Sequence, residues 1–289
     1  MLFHLLLNTL IVGSGYALVA MAFRLMNSVS PFFNMTIGAI AVLGGYVAFA
    51  LLNLGLPLQL VIIVAMLASA VFSGLLEIGV YTPMRKHGAS AMVLMVASLG
   101  IYTIFESVIH LIFGSQYYTL GNISSIKMID LGVAEIPLVQ LLMIILSFLI
   151  WIFLNYFLHH TFMGKKIRAV NDSSTLADII GLKNNQIILI VSVLTGLILG
   201  IDGILVGYDT GLEPTMGFNL LFKGMIGAII GGIATINGAF FGAIFLAFAE
   251  NVGVALFASE WRDLISFVIF IAFLSLRPQG IFQKKEYNQ

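Results

Sequence analysis

An all-α protein is predicted, a polytopic transmembrane helical bundle of about 8–9 membrane segments with some of them broken or re-entrant. Three observations lead there. Of 289 residues, 60% are apolar and only 9% are Asp, Glu, Lys or Arg, against about 25% charged residues in ordinary soluble domains. The mean hydropathy is +1.09, so lipid is the solvent for most of the chain. The apolar residues also gather in runs of about 20, the length at which a helix crosses hydrocarbon with its backbone hydrogen bonds closed. The short alternating segments of a membrane β-barrel are absent. Such a chain is not a soluble enzyme, a nucleic-acid binder or a disordered protein. Thirteen basic and thirteen acidic residues cancel, which indicates no polyanionic partner. Without cysteine there is no disulfide, thiolate metal site or Cys nucleophile.

The runs fall at residues 2–23, 32–52, 58–79, 90–113, 138–158, 186–207, 219–235, 237–257 and 262–276. The first has no basic n-region and is longer than a signal-peptide core, so it reads as a retained span. The seventh and eighth are broken by Gly224, Gly227, Gly231, Gly232, Gly238 and Gly242 and joined only through residues 234–238. They fit two crossings, or one crossing plus a re-entrant or half helix. Orientation follows from the basic residues. Arg24, then Arg85 and Lys86, then Lys165, Lys166, Arg168 and Lys183, and finally Arg277, Lys284 and Lys285 all fall on one side, the cytoplasm. The other loops carry Lys127 with Asp130 and Glu135, Asp209 with Glu213, and Glu260 with Arg262 and Asp263. Nine crossings place the N-terminus outside; one fewer places it inside. Residues 1–289 read as one transmembrane domain with a cytoplasmic loop at 159–185.

Ile37-Gly38-Ala39-Ile40 followed by Gly44-Gly45 is echoed by Ile226-Gly227-Ala228-Ile229 followed by Gly231-Gly232. On this topology the two segments run in opposite directions, as in the inverted repeats of transporters, although Gly, Ala and Ile are common in all membrane helices. Most of the 29 glycines are expected at close helix contacts. Two clusters combine glycine with proline and polar residues: Asn34, after Pro31, leads into Gly38, Gly44 and Gly45, and Pro214-Thr215-Met216-Gly217 follows Glu213. Broken helices survive at membrane depth only beside protein or a cavity. These eight residues are the predicted lining of a pathway.

A charge at the centre of a span costs about 2.5–3.5 kcal/mol on insertion scales. The candidates are Glu77, Glu106, Asp202 and Glu250. Glu77 and Asp202 fall near span ends, where water is expected. Glu106 and Glu250 lie deepest, and His110 follows Glu106 by one turn. A structural hydrogen bond to a neighbouring helix and a proton or cation relay are both open for them. His159 and His160 point about 100° apart on a helix, with no acidic or thiol companion, and no metal site is expected. Neither H-E-x-x-H nor G-x-x-x-x-G-K-[ST] occurs, so the chain has no visible means of hydrolysing ATP.

The loop at 159–185 has the chemistry of a short helix. Asn171, Asp172 or Ser173 can cap its start and Gly181 suits its end. Leu176, Ile179 and Ile180, spaced i, i+3, i+4, make a small apolar face. So short a helix is unstable alone. Its face either docks on its own bundle or enters a separate cytoplasmic subunit.

Across nearly its whole length the chain resembles the LivH-type permeases of branched-chain amino acid ABC importers. The residues that carry the likeness are Gly15-Tyr16-Ala17-Leu18-Val19-Ala20, Asn34 to Gly38 with Leu43-Gly44-Gly45-Tyr46, and Tyr81-Thr82-Pro83-Met84-Arg85. Further along come Arg168-Ala169-Val170 with Ala177 and Gly181-Leu182, then Pro214-Thr215-Met216-Gly217, then Arg277-Pro278-Gln279-Gly280-Ile281-Phe282. Asn34-Met35-Thr36-Ile37-Gly38 departs from the family's Asn-Phe-Ala-His-Gly, so any role of that histidine is absent here or carried elsewhere. Asp172 stands where the family has an acid.

The resemblance implies half of a heterodimeric translocation pore, paired with a LivM-type permease. It also implies two cytoplasmic ATPase subunits and a periplasmic or extracellular amino-acid-binding protein, in a bacterial cytoplasmic (inner) membrane. ATP and Mg would be used by the partners, with no cofactor on this chain. Arg168, Ala169, Asp172, Leu176, Ala177, Ile179, Ile180 and Gly181 would form the ATPase-coupling loop. The expected cargo is Leu, Ile or Val, moved by alternating access. The rival readings are a urea or amide permease of the same family and a proton-coupled secondary carrier.

Overall fold

The computed structural model describes residues 2–120, 128–130, 135–277 and 280–282; Lys127, Pro278, Gln279, Lys284 and Lys285 lie outside them. Helix α1 (Leu2–Val29) is followed by α2 (Thr36–Asn53) and α3 (Leu58–Leu76). A π-helical turn, Glu77–Tyr81, leads from α3 into α4 (Thr82–Lys86), and α5 (Ala91–Phe113) follows. A small antiparallel pair, β1 (Met128–Asp130) with β2 (Glu135–Pro137), precedes α6 (Leu138–His160). Then come α7 (Phe162–Asp172), α8 (Ser174–Ile179), α9 (Asn184–Asp209), α10 (Met216–Gly231), α11 (Ile236–Leu256) and α12 (Arg262–Leu276). Among the described residues, seven helical segments are long and apolar enough to cross a membrane, and α10 is a shorter apolar helix. The chain is a multi-pass membrane protein.

Small residues decide which helices touch. In lipid no hydrophobic force separates helix from solvent, so close backbone approach and van der Waals packing hold the bundle. Gly44 faces Gly200, and Gly203 faces the Ala41 carbonyl, joining α2 to α9; Gly196 rests on Ala70, joining α9 to α3. Gly227 packs on Ala243, and Gly231 on Gly238 and Gly242, joining α10 to α11. Hydroxyls reinforce these seams. Ser73 Oγ and Ser192 Oγ are 2.9 Å apart and each also donates to the other residue's carbonyl oxygen. Helices α1, α2, α9, α10 and α11 carry the dense core, whereas α5, α6 and α12 each bury only a few side chains.

The Gly-broken region resolves into two segments, α10 and α11. Gly232, at φ +108°, ends α10 in a conformation that side chains disfavour. Helix α1 runs past the predicted residue 23 to Val29 because Arg24 is buried and donates to the Ala234 carbonyl oxygen over 2.5 Å. Helix α3 itself ends at Leu76, and the helical path runs on past 79 through the π turn and α4 to Lys86, which brings Arg85 back onto Glu77.

Candidate functional site

The predicted coupling loop folds into two helices. Thr161 Oγ1 accepts from the Gly164 amide at 3.0 Å and starts α7. Ile167 and Val170 turn inward from α7, while Arg168 and Asp172 are exposed and Ala169 is half-buried. Of the three candidate caps it is Ser173 that serves, accepting from the Leu176 amide at 3.2 Å. Gly181, at φ +83°, closes α8: its amide reaches the Asp178 carbonyl oxygen at 3.0 Å, and the Leu182 amide reaches that of Ala177 at 3.0 Å. That pair of bonds is a Schellman ending. Ala177 is buried and pins the short helix to the bundle, but Leu176, Ile179 and Ile180 stand 63–74% exposed. The apolar face therefore does not dock on its own bundle.

The eight predicted pathway residues separate into two sets of contacts. Asn34 is buried, and its Oδ1 accepts from the Thr36 amide (3.0 Å), Thr36 Oγ1 (2.6 Å) and Tyr81 Oη (3.2 Å). This carboxamide tethers the irregular segment before α2 and supplies the first turn with an acceptor. Ser98 on α5 accepts from the Met35 amide at 3.0 Å and holds the same break from the other side. Gly38 and Gly217 then meet backbone to backbone, so the first turns of α2 and α10 touch. Gly44 and Gly45 go instead to α9, with Leu212 also against Gly45. Pro214, Met216 and Gly217 are buried and Thr215 is exposed.

The acids are placed differently from the expectation at two positions. Glu77, expected to reach water, is fully buried and forms an ion pair with Arg85, and its Oε1 also accepts from Thr82 Oγ1 at 2.7 Å. Asp202, expected near the outer end of its span, is fully buried with neither carboxyl oxygen in a hydrogen bond. The helix continues a further two turns to Asp209, and that is why the end lies elsewhere. Glu106 is half-buried beside Tyr102, while His110 Nδ1 meets Ser115 Oγ at 3.3 Å.

Glu250 has a partner that the sequence reading did not pair with it. Lys223 Nζ lies 2.7 Å from Glu250 Oε1, 2.7 Å from Ser266 Oγ and 2.9 Å from Asp263 Oδ1. Tyr16 Oη donates to Glu250 Oε2 at 3.0 Å, and Ser266 Oγ also donates to Glu250. The cluster fastens α10 to α1, α11 and α12. A signal existed: a lysine and an acid alone in neighbouring apolar segments need a counter-charge in lipid. Among the described residues no group of three or more His, Cys, Asp or Glu side chains is arranged to hold a metal ion.

The model of a family described as "Branched-chain amino acid transport system / permease component" matches residues 5–274. The high-affinity branched-chain amino acid transport system permease protein BraD of Pseudomonas aeruginosa is 26% identical over 298 residues, covering 98% of this chain and 96% of that one. LivH of Escherichia coli strain K12, of the same description, is 25% identical over 296 residues, 98% of this chain and 96% of its own. The autoinducer 2 import system permease protein LsrC of an Enterobacter species is 25% identical over 279 residues, covering 92% and 75%. No solved structure matches. The match runs through both the Gly38–Gly217 contact and the α7–α8 loop, and the chain belongs to the branched-chain amino acid transport system permease component family.

Proposed function

We propose that the chain is the translocation subunit of an ATP-driven importer that carries Leu, Ile and Val into a bacterial cytoplasm by alternating access. The observation that carries the reading is the exposed Leu176–Ile179–Ile180 face on a helix capped at both ends. A capped, protruding apolar knob at the basic end of a bundle suits insertion into a cytoplasmic subunit. Two ATPases would take such knobs, one from this chain and one from a LivM-type permease, and ATP with Mg would act on those partners. Residues 168–181 would pass their movement to the bundle, with 1–289 acting as one permease domain.

Substrate would come from a periplasmic or extracellular binding protein and pass beside α2 and α10. The first turns of these helices, at Asn34, Gly38, Met216 and Gly217, and the exposed Thr215 offer backbone dipoles and a hydroxyl to a zwitterion. Gly44, Gly45 and Pro214 would keep those turns in place.

The test is leucine uptake into liposomes that hold this chain with its permease, ATPase and binding-protein partners, with ATP inside. Uptake that needs ATP and the binding protein, and ignores a proton uncoupler, supports the importer. Uptake by this chain alone that collapses with the proton gradient overturns it in favour of a secondary carrier. ATP-dependent uptake of urea or an amide in place of leucine keeps the mechanism and replaces the cargo.

A further inference from the structure

At the basic end of the bundle, the ends of α1 and α6, helix α7 and the start of α11 enclose a cavity of about 590 Å³. Arg24, Lys165 and Arg168 line it, against one carboxylate, Asp172. Arg24 is the informative residue. Its side chain is buried, one terminal nitrogen donates to the Ala234 carbonyl oxygen, and its Nε has no hydrogen-bond partner. Among the described residues no carboxylate lies within ion-pair distance of Arg24, Lys165 or Arg168. A buried guanidinium without a counter-charge is a strongly unfavourable arrangement, and it is relieved by an anion.

A second feature points the same way. Thr235, Ile236 and Asn237, which open α11, also line the cavity. The Thr235 hydroxyl accepts from the Gly238 amide, and the first turn that borders the cavity is the positive end of the helix dipole, which favours negative charge.

We propose that this cavity binds a phosphate-bearing anion, the chemistry shared by an anionic phospholipid headgroup and free inorganic phosphate. Guanidinium groups and helix amides both match phosphate oxygens in geometry and charge. The level of the site favours the headgroup. His159, in the last turn of α6, and Lys165, just beyond that helix, line the cavity, so it lies at the level where the span ends. The basic end is the cytoplasmic one by the positive-inside rule, and basic clefts between helices on that side suit anionic headgroups. A bound anion bridges α1, α7 and α11, and so steadies the helix that carries Arg168. The inference is independent of the transported solute, because lipid binding is read without any transport.

Native mass spectrometry of the full chain in detergent tests it, with phosphatidylglycerol, phosphatidylcholine and inorganic phosphate as separate probes. Phosphatidylglycerol is expected to stay bound where phosphatidylcholine does not. Lys165→Gln with Arg168→Gln, both at exposed positions, should weaken phosphatidylglycerol binding by about thirtyfold. Lys86→Gln with Lys183→Gln, outside the cavity, should leave it unchanged. Saturation by inorganic phosphate, with no preference among the lipids, keeps the anion site and assigns it to a soluble phosphate. Equal retention of both lipids without phosphate binding, or equal weakening by the two pairs of substitutions, overturns the proposal.

Discussion

Lys223 Nζ and Glu250 Oε1 sit 2.7 Å apart on neighbouring helices, with side-chain exposures of 8% and 1%. Ser266 and Tyr16 complete the Glu250 carboxylate, and Asp263, 77% exposed, extends the pair toward the surface. Removing one member of a buried pair costs about 3–5 kcal/mol, and without Lys223 the Glu250 carboxylate keeps the partly exposed Arg262 at 4.0 Å. Lys223→Met alone should therefore lower the thermal midpoint sharply in detergent. Lys223→Met combined with Glu250→Leu should recover most of the loss. If the double variant is no more stable than the single, the two residues are not coupled and the pair does not fasten α10.

Asp202 is the contrasting case. It is equally buried, yet neither of its carboxyl oxygens makes a hydrogen bond. Asp202→Asn gives up no hydrogen bond and replaces a group that is costly to ionise in lipid with one that cannot ionise, so its thermal midpoint should equal or exceed that of the parent. A midpoint falling as far as that of Lys223→Met would show that the carboxyl has an essential partner.

A Cβ on Gly203 would collide with the Ala41 carbonyl oxygen, and one on Gly38 with that of Gly217. Either alanine forces two backbones apart, and overpacking of this kind costs about 1–3 kcal/mol or more. Gly100 has no atom within 4 Å of the added carbon. There, alanine should be neutral or stabilise α5 by about 0.5–1 kcal/mol, since glycine weakens a helix interior. Melting curves of the three variants side by side decide the matter.

Leu176→Asp and Ile179→Asp change exposed side chains, so the permease should keep its melting temperature. Co-purification of the proposed ATPase subunits should nonetheless be lost. Ala177→Asp, at the buried anchor of α8, should instead loosen the helix itself and increase proteolysis of the loop. Intact complexes with both exposed aspartates would separate this face from ATPase binding.

The extent to which the sequence was legible differs from one feature to another. The spans were readable because a membrane crossing needs one long apolar run, which is a local property. Helix ends were less so: α1, and the helical path that α3 continues through the π turn and α4, overrun their predicted limits, held by Arg24 on Ala234 and by Arg85 on Glu77. The stop of α8 was legible as Gly181 and its start as one of Asn171, Asp172 or Ser173, since capping depends on residues within one turn; the fold selects Ser173. The Glu250 partner was not, because Lys223 lies 27 residues away and only helix packing brings it close.

Composition and periodicity established a helical membrane protein, its basic end and the apolar face of α8, because each depends on residue type within a few turns. Which helices touch was settled by packing. Gly38 meets Gly217 rather than Gly227, its counterpart in the sequence echo, because backbones approach wherever two small residues fall at the same depth. The same packing seals Asp202, pairs Lys223 with Glu250, and leaves Leu176, Ile179 and Ile180 outside. Burial and charge pairing depend on the neighbouring helices in three dimensions, and a linear pattern carries no record of which helices those are.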